Sequence, residues 1–253
     1  MDVLTGAGLA AAAFAAGAIN SVAGGGSLVS FPALLAAGYP SKAANVTNTV
    51  ALWPGYVGGS IGYRSELRRQ RARVVPLAVP SVLGAFAGSA ILLLTPDSAF
   101  DAIVPFLILF ACGVMAFQSP LARLARQGHP PPGEEARVSA ALIGAVFVLA
   151  IYGAYFGGGL GIIMLAVLGI LLPDDLQHSN ALKGLLSALI NFAAVAYFVL
   201  FGPVEWGAVA VMATGALAGG YLGAGLARRL GASRLRLAVI GYGVVAALVL
   251  LAR

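Results

Sequence analysis

The sequence predicts an all-α, polytopic membrane protein, and its composition and hydropathy support that prediction. Hydrophobic residues make up 60% of the 253 positions and charged residues only 9%, against about 25% charged residues in a soluble domain. The mean hydropathy is +0.95. A soluble fold of this length cannot bury so much apolar side chain, so the surrounding solvent is expected to be a lipid bilayer. Helices suit that solvent because they satisfy their own backbone hydrogen bonds.

Ten apolar segments follow one another along the chain. A helix needs about 20 mostly apolar residues to cross a bilayer, and the second and seventh segments are too short to do so unaided. The segments are 3–22, 27–38, 45–63, 74–95, 99–118, 138–156, 160–172, 179–201, 206–227 and 235–252. No Lys or Arg precedes Lys42, so we expect the first segment to be a retained span and not a signal peptide.

The polar stretch 119–137, with three consecutive prolines, divides these segments into two sets of five. We therefore expect a first transmembrane repeat over 1–118, a solvated linker over 119–137 and a second transmembrane repeat over 138–253. The two sets share motifs in the same order. In each half thirteen residues separate a glycine triplet from a proline, and GAFAG at 84–88 is matched by GALAG at 215–219.

The arginines predict that the two halves have opposite orientations. Five arginines lie between 64 and 73, whereas the equivalent loop at 202–205 has no base. The next loop reverses this pattern: 95–98 has no base, and four arginines lie between 228 and 236. Because Lys and Arg collect in cytoplasmic loops, both termini are expected outside and the linker 119–137 in the cytoplasm. This is an inverted-topology repeat in an inner or plasma membrane, typical of secondary transporters. The alternative is an unrelated polytopic scaffold.

The short segments that follow the glycine triplets are the best candidates for a binding site. Glycine permits backbone conformations that interrupt a helix, so we expect short broken or re-entrant helices to begin near Ser27 and Gly161. The first turn of a helix has unpaired N–H groups and a partial positive charge. Two such ends that meet from opposite faces would bind an anion. The alternative is that these glycines only allow helices to pack closely.

Polar residues on the third segment of each half extend this candidate site. In the second half they recur at helical spacing and form one stripe, which includes Lys183. A lysine within a span is costly and indicates function, although it could also extend its side chain to the interface. The candidate substrate-binding residues are Asn20, Ser21, Gly24, Gly25, Gly26, Ser27, Asn45, Asn48, Thr49, Gly157, Gly158, Gly159, Asn180, Lys183, Ser187 and Asn191.

The paired elements VAGGGSLVSFPALLAAGYPSKAANVTNT and YFGGGLGIIMLAVLGILLPDDLQHSNALKG, each followed by a GAxAG motif, resemble the sulfite exporter TauE/SafE family of membrane permeases. The resemblance extends over essentially the whole chain. It implies a transporter of small sulfur-containing or organic anions, such as sulfite, sulfoacetate or related sulfonates. Many members of the family have a Thr-Ser pair where this chain has Asn48-Thr49 and Lys183-Gly184, a difference that bears on the substrate.

The leading hypothesis is therefore an exporter that works by alternating access. An anion channel, or an uptake permease for a small carboxylate or sulfur anion, is the alternative. An enzyme is not expected, because no histidine lies in a predicted span to act with a nucleophile. Nor do we expect a cofactor, a metal site, catalytic residues or a nucleic-acid partner. The sequence leaves open whether Na⁺ or H⁺ is coupled to transport and whether the protein is a homodimer.

Overall fold

The computed structural model describes residues 2–22, 25–62, 67, 70–120, 138–172, 176–230 and 232–252. Throughout these ranges the regular structure is helical, without a strand, which confirms the all-α prediction. The helices of ten or more residues are α1 (Val3–Val22), α2 (Ser27–Ala36), α3 (Ser41–Gly62), α4 (Arg71–Leu94), α5 (Asp97–Ala116), α6 (Ala140–Tyr155), α7 (Leu160–Leu171), α8 (Leu176–Phe201), α9 (Trp206–Leu230) and α10 (Ala232–Leu251).

Local chemistry sets the helix starts. The Asp2 carboxylate accepts a hydrogen bond from the Thr5 N–H (2.8 Å) and caps α1. Hydrogen bonding to Thr5, first through its side chain and second through its N–H, holds the pKa of Asp2 below its usual value. Helix α3 begins at Ser41, four residues before the segment that apolar composition predicts. The reason is that the Pro40 carbonyl accepts a hydrogen bond from the Ala44 N–H (2.8 Å), so the polar residues at 41 and 42 form its first turn.

Several helices have the length and composition of membrane spans. In the described part of the chain, four are long and apolar enough to cross a bilayer: Val3–Asn20, Arg71–Leu94, Asp97–Ala116 and His178–Phe201. Their surfaces carry large apolar side chains such as Phe106, which is 61% exposed. Exposed apolar surface of this kind would be costly in water but is favourable against lipid tails. The helices therefore fit a polytopic membrane protein.

Equivalent helices of the two halves make equivalent contacts. Helix α9 packs along α1, and α4 packs along α6. In the first of these pairs, Gly215 and Gly219 approach the carbonyls of Ala10 and Phe14 so closely that neither glycine has room for a β-carbon. In the second pair, the glycines at 84 and 88 press in the same way on the carbonyls of residues 147 and 151. The GAFAG and GALAG motifs thus have the same packing role in the two halves.

The third helices of the two halves, α3 and α8, also contact each other. The Thr47 hydroxyl oxygen accepts a hydrogen bond from the Glu205 N–H (3.0 Å), just beyond the end of α8. Further along α3, the Trp53 ring lies 5.6 Å from the ring of Phe192. Residue numbers rise along α3 as they fall along α8, so these two equivalent helices lie antiparallel.

The fifth helices, α5 and α10, pair in the same manner. The Cys112 thiol lies 3.8 Å from the Ile240 carbonyl oxygen, and Arg236 Nη1 donates a hydrogen bond to Ser119 Oγ (3.0 Å), just beyond the end of α5. Again the residue numbers run in opposite directions. Both pairs of equivalent helices at the interface between the halves are therefore antiparallel.

The close approach of Gly219 to α1 predicts a large difference between two neighbouring alanine substitutions. Gly219→Ala places a β-carbon against the Phe14 carbonyl, and we expect it to destabilise the protein by about 1–3 kcal/mol, as overpacking usually does. Gly220→Ala is the matched control, because a β-carbon at Gly220 meets nothing within 4 Å. Melting temperatures in detergent would test this pair; equal values would contradict the tight contact between α1 and α9.

Candidate functional site

The first glycine triplet lies where α1 ends and α2 begins. Gly25 has a φ of 87°, which a residue with a side chain rarely adopts. The next residue, Gly26, precedes the first turn of α2, and its N–H donates a hydrogen bond to Asn20 Oδ1 (2.8 Å). Gly24 and the side chain of Ser21 lie outside the described residues.

The second glycine triplet interrupts the helical path between α6 and α7. Gly157 and Gly159 have φ values of 75° and 74°, and Gly159 is the left-handed residue immediately before α7. Tyr152, in the last turn of α6, donates a hydrogen bond from its hydroxyl to the Gly158 carbonyl. Of the five described triplet glycines, three have positive φ, so these residues interrupt helices as well as allowing close packing.

Several backbone donors at the start of α7 are free to bind a ligand. The Leu160 N–H is used, because it donates to the Gly157 carbonyl (3.2 Å). The N–H groups of Gly158, Gly159 and Gly161 have no hydrogen-bond acceptor among the residues that the structure describes. Gly158 and Gly159 are also buried. Buried donors normally have partners, so this cluster indicates a site for an acceptor such as an anion.

The two triplets lie close together on one side of α5. A β-carbon on Gly25 would meet the side chain of Met115, and one on Gly158 would lie 3.0 Å from the Ala111 β-carbon. These two α5 residues are four positions apart and therefore neighbours on one helix face. The ring of Phe31, in α2, packs edge-to-face on the ring of Phe156, just before the second triplet, with the ring centroids 5.6 Å apart. This contact links the two helix breaks.

Lys183 lies beside the free donors of α7. A β-carbon on Gly161 would be 3.9 Å from Lys183 Cδ, so the lysine stem passes along the first turn of α7. Its Nζ donates a hydrogen bond to Asn180 Oδ1 (3.3 Å). The lysine thus adds a full positive charge close to the partial positive charge of the helix end.

The rest of the polar stripe continues along the same face of α8. Ser187 is 4% exposed, and its hydroxyl oxygen has no hydrogen-bond partner in the described part of the chain. Asn191, one turn further, donates from Nδ2 to the Ser187 carbonyl (2.8 Å). The amide of Asn191 is therefore engaged within the helix, whereas the Ser187 hydroxyl, like the remaining donors of the Lys183 ammonium, is available to a ligand.

In the first half, most of the candidate polar groups on α3 have partners within the fold. Asn45 donates from Nδ2 to the Tyr155 carbonyl at the end of α6 (2.8 Å). The Thr49 hydroxyl donates to the Asn45 carbonyl (3.0 Å). Asn48 differs, because it is 3% exposed and its Oδ1 has no hydrogen-bond partner among the described residues. Ser27, the remaining candidate, is the first residue of α2.

Two features of this region have no counterpart in the sequence analysis. Tyr152 was not a candidate, although a tyrosine six residues before a triplet glycine in an aliphatic span is a weak signal. The other is an ion pair between Lys42 Nζ and Asp97 Oδ1 (2.7 Å), in which the lysine also donates to the Thr95 carbonyl (2.5 Å). This pair ties the start of α3 to the α4–α5 turn.

In the described residues no cluster of three or more His, Cys, Asp or Glu could hold a metal ion.

Many apolar helices, with two helix breaks that lie near each other beside α5, are typical of secondary membrane transporters. Residues 9–250 match the family model for sulfite exporter TauE/SafE, and the chain belongs to that family. It is thus a multi-pass membrane protein from a family of transporters of small molecules.

Relatives of similar length carry transporter names. The chain is 27% identical to the probable membrane transporter protein ORF9 of Sinorhizobium sp., over 95% of this chain and 90% of the relative. It is 28% identical to a probable membrane transporter protein of Haemophilus influenzae, with 90% and 87% covered. It is 27% identical to the probable membrane transporter protein YfcA of Escherichia coli K12, with 86% and 77% covered. No solved structure matches the chain significantly.

Proposed function

We propose that this protein exports small sulfur-containing or organic anions, such as sulfite, sulfoacetate or related sulfonates. The observation that carries the proposal is the group of free N–H donors at the start of α7 with Lys183 beside it. Backbone donors and one ammonium group offer hydrogen bonds and positive charge together, which is what an oxyanion requires. The family name is consistent with this substrate class.

The distribution of acidic residues also favours an anion. The carboxylates of the described residues lie at or near helix starts, outside both glycine triplets and outside α7 and α8: Asp2, Asp97, Asp101 and Glu205. Among the described residues, Lys183 forms no ion pair with a carboxylate. A cation would be repelled at such a site, whereas an anion would be attracted.

The proposed mechanism is alternating access of two inverted halves around this site. Its support is the antiparallel pairing of equivalent helices, α3 with α8 and α5 with α10. A second support is the shared packing of α1 on α9 and of α6 on α4. Two similar bodies that meet at a central site can rock against each other and expose that site to either face.

We further propose that the protein lies in the cell inner or plasma membrane, with both termini outside and the linker 119–137 in the cytoplasm. Single cysteines at positions 69 and 229, introduced with Cys112→Ala, should both resist an impermeant maleimide in intact cells. Labelling of only one of the two positions would contradict the inverted orientation.

The membrane potential of a cell favours the export of an anion. Each negative charge that leaves a cell with a negative interior gains about 2.3 kcal/mol per 100 mV, so outward movement needs no coupled Na⁺ or H⁺. We therefore expect purified protein in liposomes to release loaded sulfite faster when a potassium gradient with valinomycin makes the interior negative. The flux should saturate, and external sulfite should accelerate it.

The same assay separates the alternatives. Flux that neither saturates nor responds to external sulfite would indicate an anion channel. Preference for a small carboxylate such as acetate, or flux driven only inward, would favour an uptake permease. Liposomes that release sulfite, sulfoacetate and acetate no faster than protein-free liposomes would contradict the proposed function.

A further inference from the structure

We propose that Tyr152 is a positioning residue that makes the second half of the protein the principal anion-binding half. Its hydroxyl holds the Gly158 carbonyl and thereby directs the following N–H group toward the anion. In the first half, Asn20 has the opposite effect, because it occupies a backbone donor. This inference rests on the proposed function and adds to it which half holds the substrate and why.

The direction of the Gly159 N–H follows from the geometry of the peptide unit between Gly158 and Gly159. All described peptide bonds are trans, and in a planar trans unit the C=O and the following N–H point in opposite directions. A hydrogen bond that fixes the Gly158 carbonyl on the side of Tyr152 therefore points the Gly159 N–H away from Tyr152. That N–H belongs to the group of donors without an acceptor.

This peptide unit needs such an anchor because glycines surround it. Gly157 and Gly159 both have positive φ, and glycine imposes little steric barrier to rotation of the neighbouring units. A carbonyl that rotated toward the anion would repel it. The Tyr152 hydroxyl prevents this rotation, since turning the carbonyl would break a hydrogen bond in a water-poor interior.

Tyr152 is itself well held. It lies in the last turn of α6, and its ring packs edge-to-face on Phe110 of α5 at 5.7 Å. The hydroxyl therefore approaches the second triplet from a fixed direction. The same helix, α5, contacts the triplet through Ala111, so one helix supports both the glycine break and the residue that orients it.

At the equivalent break in the first half, a side chain accepts a hydrogen bond from the backbone N–H instead of leaving it free. The Gly26 N–H before α2 donates to Asn20 Oδ1 (2.8 Å), so this donor is not available to an anion. Asn48 also occupies the position that Lys183 has in the second half, three residues after the aligned Asn45 and Asn180. The donor that is free at Gly159 in the second break is thus occupied at the equivalent Gly26 in the first break, and the first break lacks the charge of Lys183.

The test is the pair of variants Tyr152→Phe and Asn20→Ala, assayed for sulfite efflux from liposomes. Tyr152→Phe keeps the ring on Phe110 but releases the Gly158 carbonyl, so the Gly159 N–H is no longer held toward the anion. We expect the KM for sulfite to rise about tenfold, which is the effect of losing one hydrogen bond to an ion. The maximal rate should remain close to that of the unmodified protein, because the hydroxyl acts on binding. Asn20→Ala frees the Gly26 N–H donor and should lower the KM.

Two control variants separate positioning from stability. Tyr197 lies in α8, and its ring packs on Phe86 and Phe201. Tyr197→Phe removes only the hydroxyl and should change neither the KM nor the melting temperature. Phe110→Leu removes the aromatic contact of the Tyr152 ring but keeps the hydroxyl, so it should lower the melting temperature more than Tyr152→Phe does and raise the KM less. A KM that follows the melting temperature across these variants would assign Tyr152 a purely structural role and overturn the inference.

The outcomes also distinguish this inference from the proposed function. If the unmodified protein transports sulfite and Tyr152→Phe has the same KM, the positioning role is wrong and the proposed function stands. An equal rise in KM for Asn20→Ala and Tyr152→Phe would contradict the difference between the halves. Absence of sulfite, sulfoacetate and acetate flux from the unmodified protein would remove the proposed function itself.

Discussion

Lys183→Ala should insert and fold normally but lose most of its anion transport. The ammonium is the charged group at the α7 start, and truncating one member of a buried charge pair costs about 2–5 kcal/mol. We therefore expect an increase in the KM for sulfite of about 100-fold, which corresponds to about 3 kcal/mol. The ligand-free protein should not become less stable, because a charge within a membrane span is costly to keep. Efflux from liposomes and melting temperatures measure both effects.

Lys42→Ala is the matched control for Lys183→Ala. Lys42 lies in the first turn of α3, the equivalent helix, but its ammonium pairs with Asp97, whose side chain is 80% exposed. Exposed pairs contribute about 0–1 kcal/mol, and the Lys42 ammonium is already occupied by Asp97 and the Thr95 carbonyl, so the KM should change little. Native transport by Lys183→Ala would mean that this lysine extends to the interface and does not bind the anion.

Gly158→Val should impair both binding and stability. A β-carbon on Gly158 would lie 2.8 Å from the Phe156 ring and 3.0 Å from the Ala111 β-carbon, so valine would push the second break away from α5. Overpacking of this kind costs about 1–3 kcal/mol. The displaced break would also misalign the free N–H groups, so we expect the KM for sulfite to rise at least about tenfold.

Gly144→Val is the control for the Gly158 substitution. Gly144 lies in α6, the helix that leads to the second triplet, and a β-carbon there meets nothing within 4 Å. The same added volume should therefore leave the melting temperature and the KM near those of the unmodified protein. A Gly158→Val protein with native affinity would show that the space around this glycine is not needed for binding.

The helices were predictable because their signals are local. Apolar length and the glycine triplets predict where α1 and α6 end and where α2 and α7 begin. The early start of α3 was missed because Ser41 and Lys42 are polar, and a hydropathy pattern does not detect a first turn closed by the Pro40 carbonyl. The opposite orientation that the arginine pattern assigns to the two halves stays a prediction, which the antiparallel pairs α3–α8 and α5–α10 support.

The candidate site was only partly predictable, since its decisive contacts are not periodic. Helical spacing correctly placed Lys183 and Ser187 on one stripe of α8. The same spacing could not show that Asn45 bonds to the Tyr155 carbonyl, 110 residues away. Nor could it identify Tyr152, whose hydroxyl reaches a glycine carbonyl across the end of its own helix. Such contacts depend on how the chain turns at the glycines.

Selenite, the heavier analogue of sulfite, allows a direct test of where the anion binds. Anomalous diffraction from crystals of the unmodified protein grown with selenite would locate the selenium atom. The proposed site predicts one strong peak with selenite oxygens within hydrogen-bonding distance of the Gly159 N–H and the Lys183 ammonium. A peak beside Asn20 at the first glycine break, or a fully occupied peak beside Lys42 with the α7 start empty, would contradict it.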